Sequence, residues 1–252
     1  MMSEMSGERY VNVAGDPVPL ETAITVLRGY CLGSETTRWV APTSGVGDDV
    51  GDLSVGAFAF TTYDGIDASA TPDIGPIDIL VADGLNAQMR ARDIAGVLAV
   101  AGEIGEQITR LDESGVKFWT LSVDQVSASP VDEGAEEWPL WRAWTILMGV
   151  PGVEVARAHK ILHHKRPSVF PLIDNETIPY LRTGGSAWAT VHRDLTSTAD
   201  AWSELEDVIG EAVSGTVAST PTRLRLHDIL LWARSTNRWD VALAVGESLN
   251  AD

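Results

Sequence analysis

The feature that most constrains this chain is the spacing of its apolar residues from Pro76 to the C-terminus. There the residues recur at the three-to-four interval that puts them on one face of a helix. Ile77, Leu80, Val81 and Leu85 share such a face. Asp93 is placed to cap a helix containing Ile94, Val97, Leu98 and Val100, with Ile104 and Ile108 extending the stripe and Gly102 and Gly105 weakening its continuity. Beyond Trp138 the pattern is helical almost throughout. Trp138 to Met148 forms one helix with Pro139 in its first turn. Ser197 or Thr198 caps a second through Trp202, Leu205 and Ile209. Pro221 opens a third through Leu224, Leu226, Ile229, Leu230 and Trp232. Trp188, Trp202, Trp232 and Trp239 occupy helical positions suited to the core. The expected fold is mainly α.

Residues 1–75 read differently, as an irregular, acidic, turn-rich N-terminal segment packed on the helical region 76–252. Pro42–Gly56 and Ala68–Gly75 carry the Gly, Pro, Ser, Thr and Asp of loops. Ala57–Tyr63 between them reads as a short strand or as a segment lying flat on the helices. The acidic stretch Ser127–Glu137, with Pro130 and Gly134, is the connector inside the helical region.

Charge bears on partners. The formal net charge is −18, and residues 1–137 account for −16 of it (7 Lys and Arg against 23 Asp and Glu). Residues 138–252 are nearly balanced, with 11 against 13. Nucleic-acid binding draws most of its affinity from neutralised phosphates, so the overall charge opposes it, while the back half is free to carry a local basic patch. No run of about 18 apolar residues suggests a membrane span. A polar first stretch without a secretory pattern and a lone Cys31 point to a reducing, cytoplasmic setting.

The chemistry-bearing stretch is Val150-Pro151-Gly152-Val153-Glu154-Val155-Ala156-Arg157-Ala158-His159-Lys160-Ile161-Leu162, followed by His163-His164-Lys165-Arg166-Pro167 and an apolar run ending at Asp174. A Gly-containing hairpin lets backbone N–H groups at a helix start approach a phosphate oxygen, and the helix dipole favours the anion. Ala156 and Ala158 let two helices cross closely. This stretch resembles the helix-hairpin-helix motif of the HhH-GPD DNA glycosylase superfamily, commonly written L-P-G-V-G-x-x-T-A, with an aspartate twelve residues after the position matching Leu162. The combination Lys165-Arg166-Pro167 with Asp174 also looks like an actinobacterial family of uncharacterised helical proteins.

The resemblance implies an HhH-GPD glycosylase-like helical fold and a DNA-binding hydrolase that removes bases without a cofactor. Asp174 would stabilise the oxocarbenium-like sugar as the base departs. Val150, Gly152, Val153 and Val155 would present the hairpin to phosphate, helped by Lys165 and Arg166. Trp141 and Trp144 would line the pocket for a flipped base. Two departures matter: Ala156 stands where bifunctional members carry a nucleophilic lysine, and Glu154 replaces the second hairpin glycine. Lys160 lies one turn beyond the lysine position.

Each feature also has a structural reading. Asp174 in Asp174-Asn175-Glu176-Thr177 could cap the next helix. The cluster His159, Lys160, His163, His164, Lys165, Arg166 could neutralise a helix C-terminus instead of facing DNA, and its histidines lack an evident third ligand for a metal site. The function expected is a monofunctional, base-excision-type N-glycosidase. The alternative is a non-catalytic helical scaffold whose acidic N-terminal half binds a protein partner.

Overall fold

The structure, a computed structural model, describes residues 9–33, 38–39, 53–54, 60–68, 70–127, 138–181, 186–217 and 219–250. The described chain is mainly helical. It opens with a hairpin of β1 (Tyr10–Val13) and β2 (Asp16–Pro19), in register Tyr10↔Pro19 to Val13↔Asp16. The two-residue turn Ala14-Gly15 has φ of 56° and 86°, the mirror-image geometry that matches strand twist. Val11, Val13 and Val18 point into the core. Helix α1 (Leu20–Leu32) follows at once. Part of the segment expected to be irregular is therefore a hairpin and a 13-residue helix, both built into the core.

A second two-stranded pairing joins β3 (Arg38–Trp39) and β4 (Leu53–Ser54). The rest of Pro42–Gly56 lies outside the described residues, as does the connector beyond Ser127 up to residue 137. Ala57–Tyr63, read as a short strand or as a segment lying flat on the helices, has as its described part the short helix α2 (Phe60–Tyr63) in place of the strand, with Phe60 and Tyr63 buried.

Next come α3 (Pro76–Gly84), α4 (Ala91–Ala99), α5 (Ala101–Ser114) and α6 (Val123–Ser127). The chain continues through α7 (Pro139–Met148), α8 (Val155–Lys165), α9 (Ile178–Leu181) and α10 (Ala187–Ser197). It closes with α11 (Ala199–Ala212), α12 (Arg223–Ser235) and α13 (Trp239–Leu249). Helix α3 corrects one expectation: Ile77 and Leu80 are 50% and 63% exposed, and the buried face is Asp78, Ile79, Val81 and Ala82. The helix is rotated because Asp78 turns inward to meet partners on α8. Asp93, expected as a cap, is the third residue of α4, and its carboxylate reaches back to the Arg90 N–H at 3.1 Å. The stripe breaks at Val100, between α4 and α5.

Two helices organise the interior. Helix α8 packs against α3 and α7, while α12 packs against α1, α10, α11 and α13. The first and last described helices, α1 and α13, cross closely. A Cβ on Gly29 would lie 1.8 Å from the Ala242 carbonyl oxygen, and one on Gly246 would lie 1.9 Å from that of Thr25. Only glycine permits backbones so close. Asp194 ties three parts together: it accepts from the Gly15 N–H (3.0 Å) and His227 Nε2 (3.0 Å), and its carbonyl accepts from Trp202 Nε1 (3.0 Å).

Candidate active-site cleft

Helix α8 explains most of the placements. Its second half reads His159-Lys160-Ile161-Leu162-His163-His164-Lys165, and every one of these residues is buried. Burial of so many polar groups requires partners. His159 Nδ1 donates to the Pro171 carbonyl (2.8 Å) and His163 Nδ1 to that of Phe170 (2.7 Å). Burial holds both rings far below the usual histidine range, to about 4 for His159 and about 3 for His163. They are neutral packing groups at pH 7.

Lys165 is fully buried, with its Nζ 3.1 Å from Asp78 Oδ2, while His164 Nδ1 is 3.1 Å from Asp78 Oδ1. Arg166 is tied to Asp112 through Nε (2.7 Å) and Nη2 (2.6 Å). The expectation that Lys165 and Arg166 grip phosphate is thus corrected. The first lies in the interior and the second is engaged by a carboxylate. Helical spacing put these cations on the chain's most basic helix, but their partners come from residues more than fifty positions away.

Trp141 and Trp144 are corrected in the same way. Trp141 stacks on Trp188 at 4.1 Å between ring centroids and donates Nε1 to the Gln125 carbonyl (2.8 Å), and Trp144 lies edge-on to it at 5.8 Å. The stack is core and lines no part of the cleft that holds Asp174.

That cleft measures about 310 Å³ and is walled by Tyr30 of α1, Gly84 at the end of α3 with Leu85 and Asn86 after it, Lys160 of α8, Asp174 and Glu176 before α9, and Arg225, Asp228 and Trp232 of α12. Asp174 does cap the next turn: its Oδ1 accepts from the backbone of Glu176 (3.0 Å) and Thr177 (3.1 Å) and from Thr177 Oγ1 (3.3 Å). These bonds all fall on one oxygen. Oδ2 has no protein partner among the described residues. Lys160 Nζ donates to the Leu85 carbonyl (2.7 Å), and burial lowers its pKa against the pull of Asp174 and Asp228.

Arg225 joins the cleft wall to the buried carboxylates beside it. It grips Asp64 with Nε (3.0 Å to each oxygen) and Nη2 (2.8 Å), and Asp228 Oδ2 with Nη1 (2.5 Å). Burial pushes Asp228 up to about 7, with Arg225 opposing and Asp174 adding to the rise. Asp64 is likewise raised by burial, again opposed by Arg225.

A family of unknown function (DUF6308) matches residues 46–235 of the chain. The chain belongs to the DUF6308 family. No curated protein and no solved structure matches it. In this DUF6308 member every residue of the cleft except Tyr30 falls within the matched span.

The hairpin of the DUF6308 chain lies between α7 and α8. Val150 and Val153 are buried, Val155 begins α8, and Pro151, Gly152 and Glu154 are exposed. Gly152 has φ +88°, and a Cβ there would stand 2.4 Å from Asp93 Oδ1, so the hairpin abuts the first turn of α4. Two exposed cations flank that turn: Arg90, which precedes α4, and Arg92, whose Nε lies 3.4 Å from Asp93 Oδ1. Arg157 fastens the hairpin, reaching the carbonyls of Gly152, Ala87 (2.7 Å) and Gln88 (3.1 Å). Residues 85–88 thus bridge hairpin and cleft, held at one end by Lys160 and at the other by Arg157. Asn86 and Gln88 hold left-handed backbone there, at φ 63° and 51°, a conformation that L side chains adopt at a cost. Sequence reasoning missed Tyr30, Arg90, Arg92, Arg225 and Asp228. An Arg and an Asp three apart on an apolar helix was the available signal for the α12 pair.

Proposed function

We propose that the chain is a DNA-binding N-glycosidase of the base-excision type, hydrolysing an N-glycosidic bond with Asp174. The observation that carries this reading is Asp174 itself: it stands in a cleft, with one oxygen fixed by a capping turn and the other without a partner among the described residues. A carboxylate held in this way meets a developing oxocarbenium charge without reorganising. A volume of about 310 Å³ lies at the small end of ligand sites, which start near 300 Å³, and suits one extruded nucleoside. The resemblance of the hairpin to the HhH-GPD motif supplies the substrate class.

Phosphate recognition on this reading moves from Lys165 and Arg166 to the exposed face made by Gly152, Arg90 and Arg92. The test is duplex-DNA affinity across a salt series. Arg90→Ala/Arg92→Ala should weaken binding and make the salt slope shallower by about 1 to 2, as loss of one or two phosphate contacts requires. Arg166→Ala should leave the slope unchanged. Absence of binding at low salt would overturn the assignment.

A second reading, a scaffold that binds a protein partner, is favoured by the capping role of Asp174 Oδ1, by exposed Glu154 at the hairpin and by the charge of −18. It predicts no DNA binding and no base release.

A further inference from the structure

Two carboxyl groups in the cleft share an arrangement. Asp174 has Oδ1 tied to a capping turn, and Asp228 has Oδ2 tied to Arg225 Nη1. The second oxygen of each has no protein partner among the described residues, and neither belongs to the buried polar atoms left unpaired. Both therefore offer one oxygen to what the cleft holds. They come from different walls, Asp174 from the turn before α9 and Asp228 from α12. Asp174 belongs to the hairpin motif's own spacing, whereas Asp228 does not.

We infer that Asp228 is the proton carrier of the cleft: it protonates the departing base while Asp174 faces the sugar. This rests on the N-glycosidase reading. As the C1′–N bond breaks, its electron pair leaves with the base nitrogen, which takes the proton of the Asp228 carboxyl. Water then adds to C1′, and the proton it loses restores Asp228. Base and sugar depart with one water consumed and nothing else required.

The surroundings of Asp228 suit that task. Burial and Asp174 favour its protonated form, and Arg225 of its own helix restrains the rise, leaving it at about 7. Asp64 also raises it, and Lys160, Tyr30 and Tyr63 are the other titratable groups within electrostatic reach. Near neutrality a carboxyl both holds a proton and gives it up, the condition for general acid catalysis. Arg225 keeps its grip on Asp64 when Asp228 is replaced, so Asp228→Asn, which retains a carbonyl acceptor, has a route to fold.

The experiment uses plasmid DNA treated separately with nitrite, which leaves deaminated bases, and with dimethyl sulfate, which leaves cationic methylated bases. Free bases released by the wild type, Asp228→Asn and Asp228→Glu are quantified from pH 5.5 to 8.5, with melting curves confirming that each variant is folded. A deaminated base leaves as an anion unless a proton reaches it, so an acid speeds its departure, whereas a methylated base already carries the positive charge. The expected result is a wild-type rate on nitrite-treated DNA that falls about tenfold per pH unit above about 7. Asp228→Asn should lose about 100-fold there, along with the pH dependence, and lose far less on methylated DNA. Asp228→Glu should recover part of the rate and the limb.

Equal loss on both DNAs, an unchanged pH limb in Asp228→Asn, or release of methylated bases alone by the wild type would overturn the role of Asp228 and leave the N-glycosidase reading standing. No release from either DNA by the wild type would remove both.

Discussion

Replacing Lys165 with methionine tests the interior placement of the basic helix, and its cost follows from the neighbours of Asp78. That carboxylate has no exposed surface and takes its charge partner from Lys165 Nζ at 3.1 Å, with further bonds from His164 Nδ1 (3.1 Å) and the Gly75 N–H (2.8 Å). Lys165→Met keeps the length of the side chain and removes the cation, leaving a buried carboxylate without it. Breaking such a pair costs about 3–5 kcal/mol. At roughly 2–4 °C per kcal/mol for a chain of this size, the melting temperature should fall by roughly 10 °C. Asp78→Asn placed on top should recover much of the loss, because the stranded charge disappears with it.

Arg166→Ala is the comparison. Its partner Asp112 is 43% exposed, and such a pair is worth about 0–1 kcal/mol. The pH dependence has a definite sign. Burial pushes Asp78 up, but the bonds from His164, Gly75 and Lys165 outweigh it and hold the carboxyl below its ordinary 3.8. The stabilisation is present above that value and is lost as pH falls through the depressed one. Differential scanning calorimetry at pH 7 and in acid reads both effects. A Lys165→Met protein that melts within about 2 °C of wild type would refute the buried pair.

His159 and His163, held at about 4 and about 3, bind no proton in the folded chain at pH values where the unfolded chain, titrating near 6.5, does. Stability should be level above about 6.5 and fall at up to roughly 3 kcal/mol per pH unit between about 5.5 and about 4; urea midpoints that stay flat from pH 7 to 4.5 would contradict this. At the α1–α13 crossing, Gly246→Ala forces a Cβ to 1.9 Å from a backbone oxygen and should cost at least about 1–3 kcal/mol. Gly102→Ala, in open space within α5, should stabilise by about 0.5–1 kcal/mol. Equal melting temperatures for these two variants would show that the crossing is not as close as described.

The parts of the fold legible in the sequence are those where local chemistry and tertiary packing agree. Pro139 does open α7, and Trp202, Leu205 and Ile209 do face inward from α11. Thr222 caps α12 one residue after Pro221. Helix α1 was equally readable, since Leu20, Ala23, Val26, Leu27 and Tyr30 keep a helical interval; the Gly, Pro and Asp around it obscured the pattern. Helix α3 was not readable in the same way. Its apolar Ile77 and Leu80 suggested a face that the fold leaves exposed, because Asp78 is drawn inward by Lys165 across 87 positions of chain.

The candidate site divides along the same line. Asp174 was singled out by the resemblance to the HhH-GPD motif; the structure shows its capping role, on Oδ1, and places the residue in the cleft wall. Asp228, Arg225 and Tyr30 escaped because a buried ion pair on an apolar helix looks, in sequence, like the polar side of an amphipathic one. What gives Asp228 its character is burial, opposed by Arg225, which it shares with Asp64, 164 positions earlier.

The proposed action of Asp174 on an N-glycosidic bond is tested most directly by mass-spectrometric detection of free bases released from the treated plasmids. Wild-type protein is compared with Asp174→Asn. The asparagine keeps an oxygen for the Glu176 and Thr177 N–H groups, so the cap and the melting temperature should survive. Base release by the wild type and a loss of about 100-fold or more in the folded variant are expected. Equal release by the two proteins, or none by the wild type on any treated DNA, would contradict the proposed action.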